Sequence, residues 1–82
     1  MKAKLAKAYL DYPETELYYY KDEGIWYLNI PGCGLASLAG HTVIENADGT
    51  ITVTPSILTT GYVNGEKVTK HGYLTNSEWV DC

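Results

Sequence analysis

The chain has 82 residues, 45% of them apolar and 20% charged, the composition of a single small domain spanning residues 1–82. Six lysines and no arginine against ten acidic residues leave a net charge of -4, which argues against a nucleic-acid partner and against docking on anionic membrane. No apolar run approaches the roughly 20 residues of a membrane-spanning helix, and no apolar stretch follows the basic start Met1–Lys7 to make a signal peptide.

Turn signals come often, and the segments between them are rich in Thr, Val, Ile, Tyr and Trp, which is strand composition. Lys2–Leu10 reads as an extended first strand, with a helical stripe of Leu5, Ala6 and Tyr9 as the alternative. A first hairpin joins Leu17–Tyr20 to Ile25–Ile30 through the loop Lys21-Asp22-Glu23-Gly24. That register sets Tyr19 against Trp26 and Leu17 against Leu28 on a core face, and leaves Tyr18, Tyr20, Ile25 and Tyr27 on the other. A short helical turn is expected at Leu35–Ala39.

A second hairpin turns at Asp48-Gly49, pairing Ile44 with Val53 and Asn46 with Ile51, and Pro55 ends its second strand or marks an edge. Asn64-Gly65 is a strong two-residue turn that opposes Tyr62 to Lys67 and Gly61 to Val68. A last turn at Asn76-Ser77 sets Leu74 against Trp79, Tyr73 against Val80 and, carried outward, His71 against Cys82. The fold class is therefore mainly β: a small antiparallel meander or partly open barrel of hairpins with at most one short helical turn.

Four soft metal ligands are present: Cys33, His41, His71 and Cys82. Cys33 lies in Pro31-Gly32-Cys33-Gly34, whose glycines free the backbone to fold around a thiolate, and His71 and Cys82 are expected as cross-strand neighbours. A Cys2His2 set suits structural Zn²⁺, which would staple so small a core. Neither CxxC nor HxxxH spacing occurs, and free thiols or a Cys33–Cys82 disulfide are the competing readings.

Eight Tyr and two Trp with no Phe is uneven aromatic usage that suits recognition, because each ring joins an apolar body to a polar tip. Tyr18, Tyr20, Ile25 and Tyr27 on one hairpin face are the candidate partner-binding patch; a second side of a small barrel, or a homodimer contact, is the alternative. No catalytic constellation is legible: Ser37 and Ser56 lack a nucleophile elbow, and Gly32-Cys33-Gly34 lacks the lysine and helix start of a phosphate loop.

Four segments together carry a resemblance: Tyr9-Leu10-Asp11-Tyr12-Pro13, Pro31-Gly32-Cys33-Gly34, Asp48 to Ile57 and His71 to Trp79. In order and spacing the chain resembles a family of small phage, prophage and bacterial proteins of unknown function, whose members look like zinc-binding proteins. Cys33 and His71 match that family's ligand pattern, whereas its other cysteines fall at Asn29 to Pro31 and near Val68, where this chain has none. The resemblance implies a phage or prophage origin and residence in the cytoplasm of the bacterial host. The expectation is a small non-enzymatic interaction protein that binds or inhibits a host protein, in anti-defence or host takeover, with a structural zinc site. A metal-dependent enzyme at Cys33, His71 and Cys82, or a virion or assembly component, is the alternative.

Overall fold

A computed structural model describes residues 1–82 and contains eight strands and no helix. The strands are β1 (Lys4–Leu5), β2 (Tyr18–Asp22), β3 (Ile25–Ile30), β4 (Gly34–Ser37), β5 (Thr42–Glu45), β6 (Ile51–Val63), β7 (Glu66–Thr75) and β8 (Glu78–Asp81). They form two four-stranded sheets, ordered β1-β2-β3-β4 and β5-β6-β7-β8. The mainly β reading holds. The segment expected to be helical, Leu35–Ala39, instead supplies most of β4, because Gly34 to Ser37 pair along β3.

The N-terminal strand joins the sheets. Trp79 N–H donates to Met1 O, Ala3 N–H donates to Ser77 O, and Lys2 bridges Glu78, so the first residues run antiparallel to β8. Lys4 N–H then donates to Leu17 O and Ala6 N–H to Tyr19 O, so the following residues run parallel to β2. Hydrogen bonding is thus continuous in the order β4-β3-β2-β1-β8-β7-β6-β5. No ladder joins β4 to β5, and the barrel stays open there.

Turn chemistry explains the registers. Asn64 and Gly65 have φ of 53° and 80°, and Asn76 and Ser77 have φ of 49° and 60°. Positive φ at both central residues matches the right-handed twist of the flanking strands, so both hairpins pair as the sequence predicts. The other two differ. Glu23 and Gly24 also both have positive φ, so the first hairpin closes in two residues and β2 extends to Asp22. Tyr19 faces Leu28, not Trp26; this two-residue shift leaves each side chain on its expected face.

In the second hairpin Asn46 N–H donates to Thr50 O and Gly49 N–H to Asn46 O, so three residues, Ala47 to Gly49, form the loop. The register slips by one residue, which exchanges the faces: Val43 faces Val53, and Ile44 faces Thr52 on the outside. Pro55 does not end the strand. It lies where the β6–β7 register shifts between Val53 and Ile57, and β6 continues to Val63. A bulge accommodates the missing N–H.

The core draws on both sheets: Ala3, Leu17, Tyr19, Leu28, Ile30 and Leu38 meet Ile51, Val53, Ile57 and Leu74. At one end a hydrogen-bond relay crosses it. Ile51 N–H donates to Ser77 Oγ (3.0 Å), Ser77 Oγ to the Tyr19 hydroxyl (2.8 Å) and that hydroxyl to Gly49 O (3.3 Å). Ser77 is buried in a left-handed conformation unusual for serine, and its backbone also bonds Ile51 O and Ala3 N. These bonds offset the backbone strain and tie three segments to one turn.

Candidate interaction surface

The four residues of the expected partner patch lie on one face of the β2–β3 hairpin, but most of that face is covered. Tyr18 is fully buried, Tyr20 is 6% exposed, Tyr27 is half-buried and Ile25 stands at the margin of exposure. Tyr18 and Tyr20 form a second small core with Ala6, flanked by Tyr12 and Tyr27. Rings 20 and 27 stack with centroids 5.3 Å apart, and rings 12 and 18 meet at 5.9 Å. Leu10 N–H donates to the Tyr18 hydroxyl at 3.1 Å. Burial, followed by the neighbouring rings Tyr18 and Tyr27 and the Asp22 carboxylate, pushes the Tyr20 phenol above its ordinary range. The expectation of an exposed tyrosine patch is corrected: the chain from Ala6 to Tyr12 covers it.

Buried Asn29 helps to hold the connection that follows this cover. Its Nδ2 donates to Glu14 O (3.1 Å) and Glu16 O (2.8 Å), fixing the turn before β2. Polar side chains directed at backbone carbonyls make the segment's path specific.

The four ligand candidates make separate contacts. Cys33 Sγ lies 3.6 Å from Val68 O, held there because Gly61, lacking a side chain, admits the Gly32–Cys33 backbone. His71 and Cys82 do face each other, and Cys82 N–H donates to His71 O at 2.9 Å. The His71 ring, however, bonds Ser56 Oγ at 2.9 Å, and His41 Nε2 lies 3.3 Å from Ser56 O. Both cysteines are free thiols. No three His, Cys, Asp or Glu side chains come together as a ligand group. Tetrahedral zinc needs four donors at about 2.0–2.3 Å, and in this arrangement the four candidates do not share a centre.

Ser56 is the polar residue whose setting the sequence did not disclose, because the bulge at Pro55 turns it toward His71. A hydroxyl on an imidazole nitrogen has the outline of a nucleophile and its base. No protein group bonds the other nitrogen of the exposed His71 ring, so the pair lacks the third, orienting member of a triad. The pair fastens the bulge to β7.

The uncovered surface lies on the other sheet. Facing pairs in β6 and β7 share a side, and Ile57, Val53 and Leu74 point into the core. The alternate residues therefore point outward: Leu58, Thr60 and Tyr62 with His71, Thr69 and Lys67. Ile44 and Thr52 on one side of them and Tyr73 and Val80 on the other extend this face across the sheet. Tyr62 is 72% exposed, Leu58 66%, Ile44 and Val80 50%, and Tyr73 45%. The Tyr62–Lys67 and Tyr73–Val80 pairings follow from the turns, whereas the expected Ile44–Val53 pairing is displaced by one residue, which turns Ile44 outward. Comparison with family models, with curated proteins and with solved structures gives no match for this chain.

Proposed function

We propose that the chain is a small non-enzymatic interaction protein whose contact surface is the outer face of the β5–β8 sheet. In the phage or prophage setting that its sequence resembles, the bound molecule is a host protein, and binding inhibits or redirects it. One observation carries this reading: Ile44, Leu58, Tyr62, Tyr73 and Val80 stand exposed on one face, among threonines and with little charge. Large apolar side chains shared along one exposed sheet face offer a partner surface to bury. Tyrosine among β-branched residues gives rigid contact area at low entropic cost.

The test is affinity capture from bacterial lysate with the unmodified chain and with a Leu58→Asp/Tyr62→Ser variant. A single stoichiometric host protein retained by the first and lost by the second is expected. Retention by both, or copurification only with phage particles, would overturn the reading, the second outcome in favour of a virion role.

A further inference from the structure

We infer that the free edge of β5 accepts an extended strand from a protein partner, seating one of its side chains in the cleft beside Trp26. This rests on the interaction reading above and names the partner's chemistry. Asn46 and Thr50 form a hydrogen-bonded pair, so along β5 the bonded positions facing β6 are 46, 44 and 42. The N–H and C=O groups of Val43 and Glu45 therefore point away from β6. No strand pairs with β5 on that side, and no turn or side-chain hydrogen bond reaches these groups.

Edges are commonly guarded by lysine, proline or a bulge. β5, Thr42-Val43-Ile44-Glu45, has no proline or bulge, and its one charge, Glu45, is paired with Lys21; its pairing with β6 is regular. Of the other terminal strand of the continuous ladder, β4, only its first residue, Gly34, lines a cleft. Along β5 runs a cleft of about 310 Å³, lined by Val43, Leu38, Ile25 and Trp26, by Lys21 and Glu45, and by His41, whose buried Nδ1 has no hydrogen-bond partner. Lys21 Nζ sits 3.2 Å from Glu45 Oε2 and 5.6 Å from the centre of the Trp26 ring, so these two charges already neutralise each other. A cleft that joins apolar side chains to a buried, unpartnered imidazole nitrogen, with its ion pair already made, favours an uncharged side chain over a charged one.

The occupant is thus a short extended segment. Its backbone bonds Val43 and Glu45, one uncharged side chain enters the cleft, and the next residue lies beside exposed Ile44. A second copy is a poorer occupant. β5 is four residues long, roughly 13 Å at the usual strand rise, and pairing two such edges buries far less than the ~1,000 Å² of a stable interface.

The experiment selects short random peptides on the purified full-length chain and maps the tightest binder by amide NMR. Cross-strand contacts from the peptide to the Val43 and Glu45 amides are expected. Glu45→Pro, which removes an outward N–H at a solvent-facing edge position, should weaken binding roughly tenfold or more, while Glu45→Gln stays within about threefold. Protection of the Val43 amide from exchange by the peptide gives the same answer without any substitution. Selection of no binder, shifts centred elsewhere, or equal effects of Pro and Gln at 45 would overturn the inference. So would self-association of the free chain that Glu45→Pro removes. None of these bears on capture through Leu58 and Tyr62, so the edge can fail while the outer face stands.

Discussion

Two tyrosine-bearing faces of this molecule are built from similar residues and end in opposite states. On the β2–β3 hairpin, Tyr18, Tyr20 and Tyr27 alternate along strands in a pattern that reads as a recognition patch, yet Tyr18 is fully buried. On the β5–β8 sheet, Tyr62 and Tyr73 alternate among threonines and remain largely in water. The difference lies in a third segment. Residues 6–12 fold over the first face, put Ala6 and Tyr12 against its rings, and donate the Leu10 N–H to a tyrosine hydroxyl. No part of the chain returns over the second. A patch is defined by what fails to cover it as much as by its own residues.

The largest effect expected from this contrast is on folding. Tyr18→Ser removes a fully buried ring and should cost about 3–5 kcal/mol, read as a lower denaturation midpoint. Tyr62→Ser should stay within about 0.5 kcal/mol of the unmodified chain. Equal losses at the two sites would break the comparison. Next in size, Gly61→Ala would place a Cβ 2.5 Å from Gly32 O and 2.6 Å from Cys33 Cα. Backbone must move to admit it, so a loss of about 1–3 kcal/mol is expected, with amide protection falling first between residues 57 and 72.

Tyr19→Phe should cost less, about 1–2 kcal/mol, by breaking the relay from Ile51 through Ser77 to Gly49 while keeping the ring. The smallest effect concerns alkaline pH. The Tyr20 phenol is held above its ordinary range in the folded state. Its stabilising share is present in full below the ordinary tyrosine value of about 10 and is lost as pH rises from there through the raised value. Tyr20→Phe should therefore flatten the fall in stability above about pH 10, measured by denaturant titration at successive pH values. An unchanged slope would mean that the covering segment does not desolvate this ring.

Much of the framework follows from local chemistry. Asn64-Gly65 and Asn76-Ser77 accept positive φ at both central positions, and such turns set strand registers over many residues. Alternation of Thr, Val, Ile and Tyr made the chain legible as strands before any contact was known. The loop at Asn46–Thr50 departs from the expected two-residue turn because Asp48-Gly49 serves both two-residue and three-residue turns, and one residue of difference exchanges the faces. The ligand set was less legible still. Spacing placed His71 opposite Cys82, but the bulge at Pro55 brought Ser56 to the imidazole.

By itself, then, the sequence determined strand content, the positions of the turns and two registers, because each depends on the conformational preferences of a few adjacent residues. Tertiary structure alone decided three things: that the N-terminal strand joins both sheets, that residues 6–12 cover the β2–β3 tyrosines, and that the outer face of β5–β8 stays bare. The physical reason is the range of the interactions. Covering a face requires closing a loop and burying apolar surface against residues far along the chain, and such contacts leave no periodicity in the segment that makes them. The edge of β5 is free for the same reason: nothing in Thr42–Glu45 records that the ladder ends there.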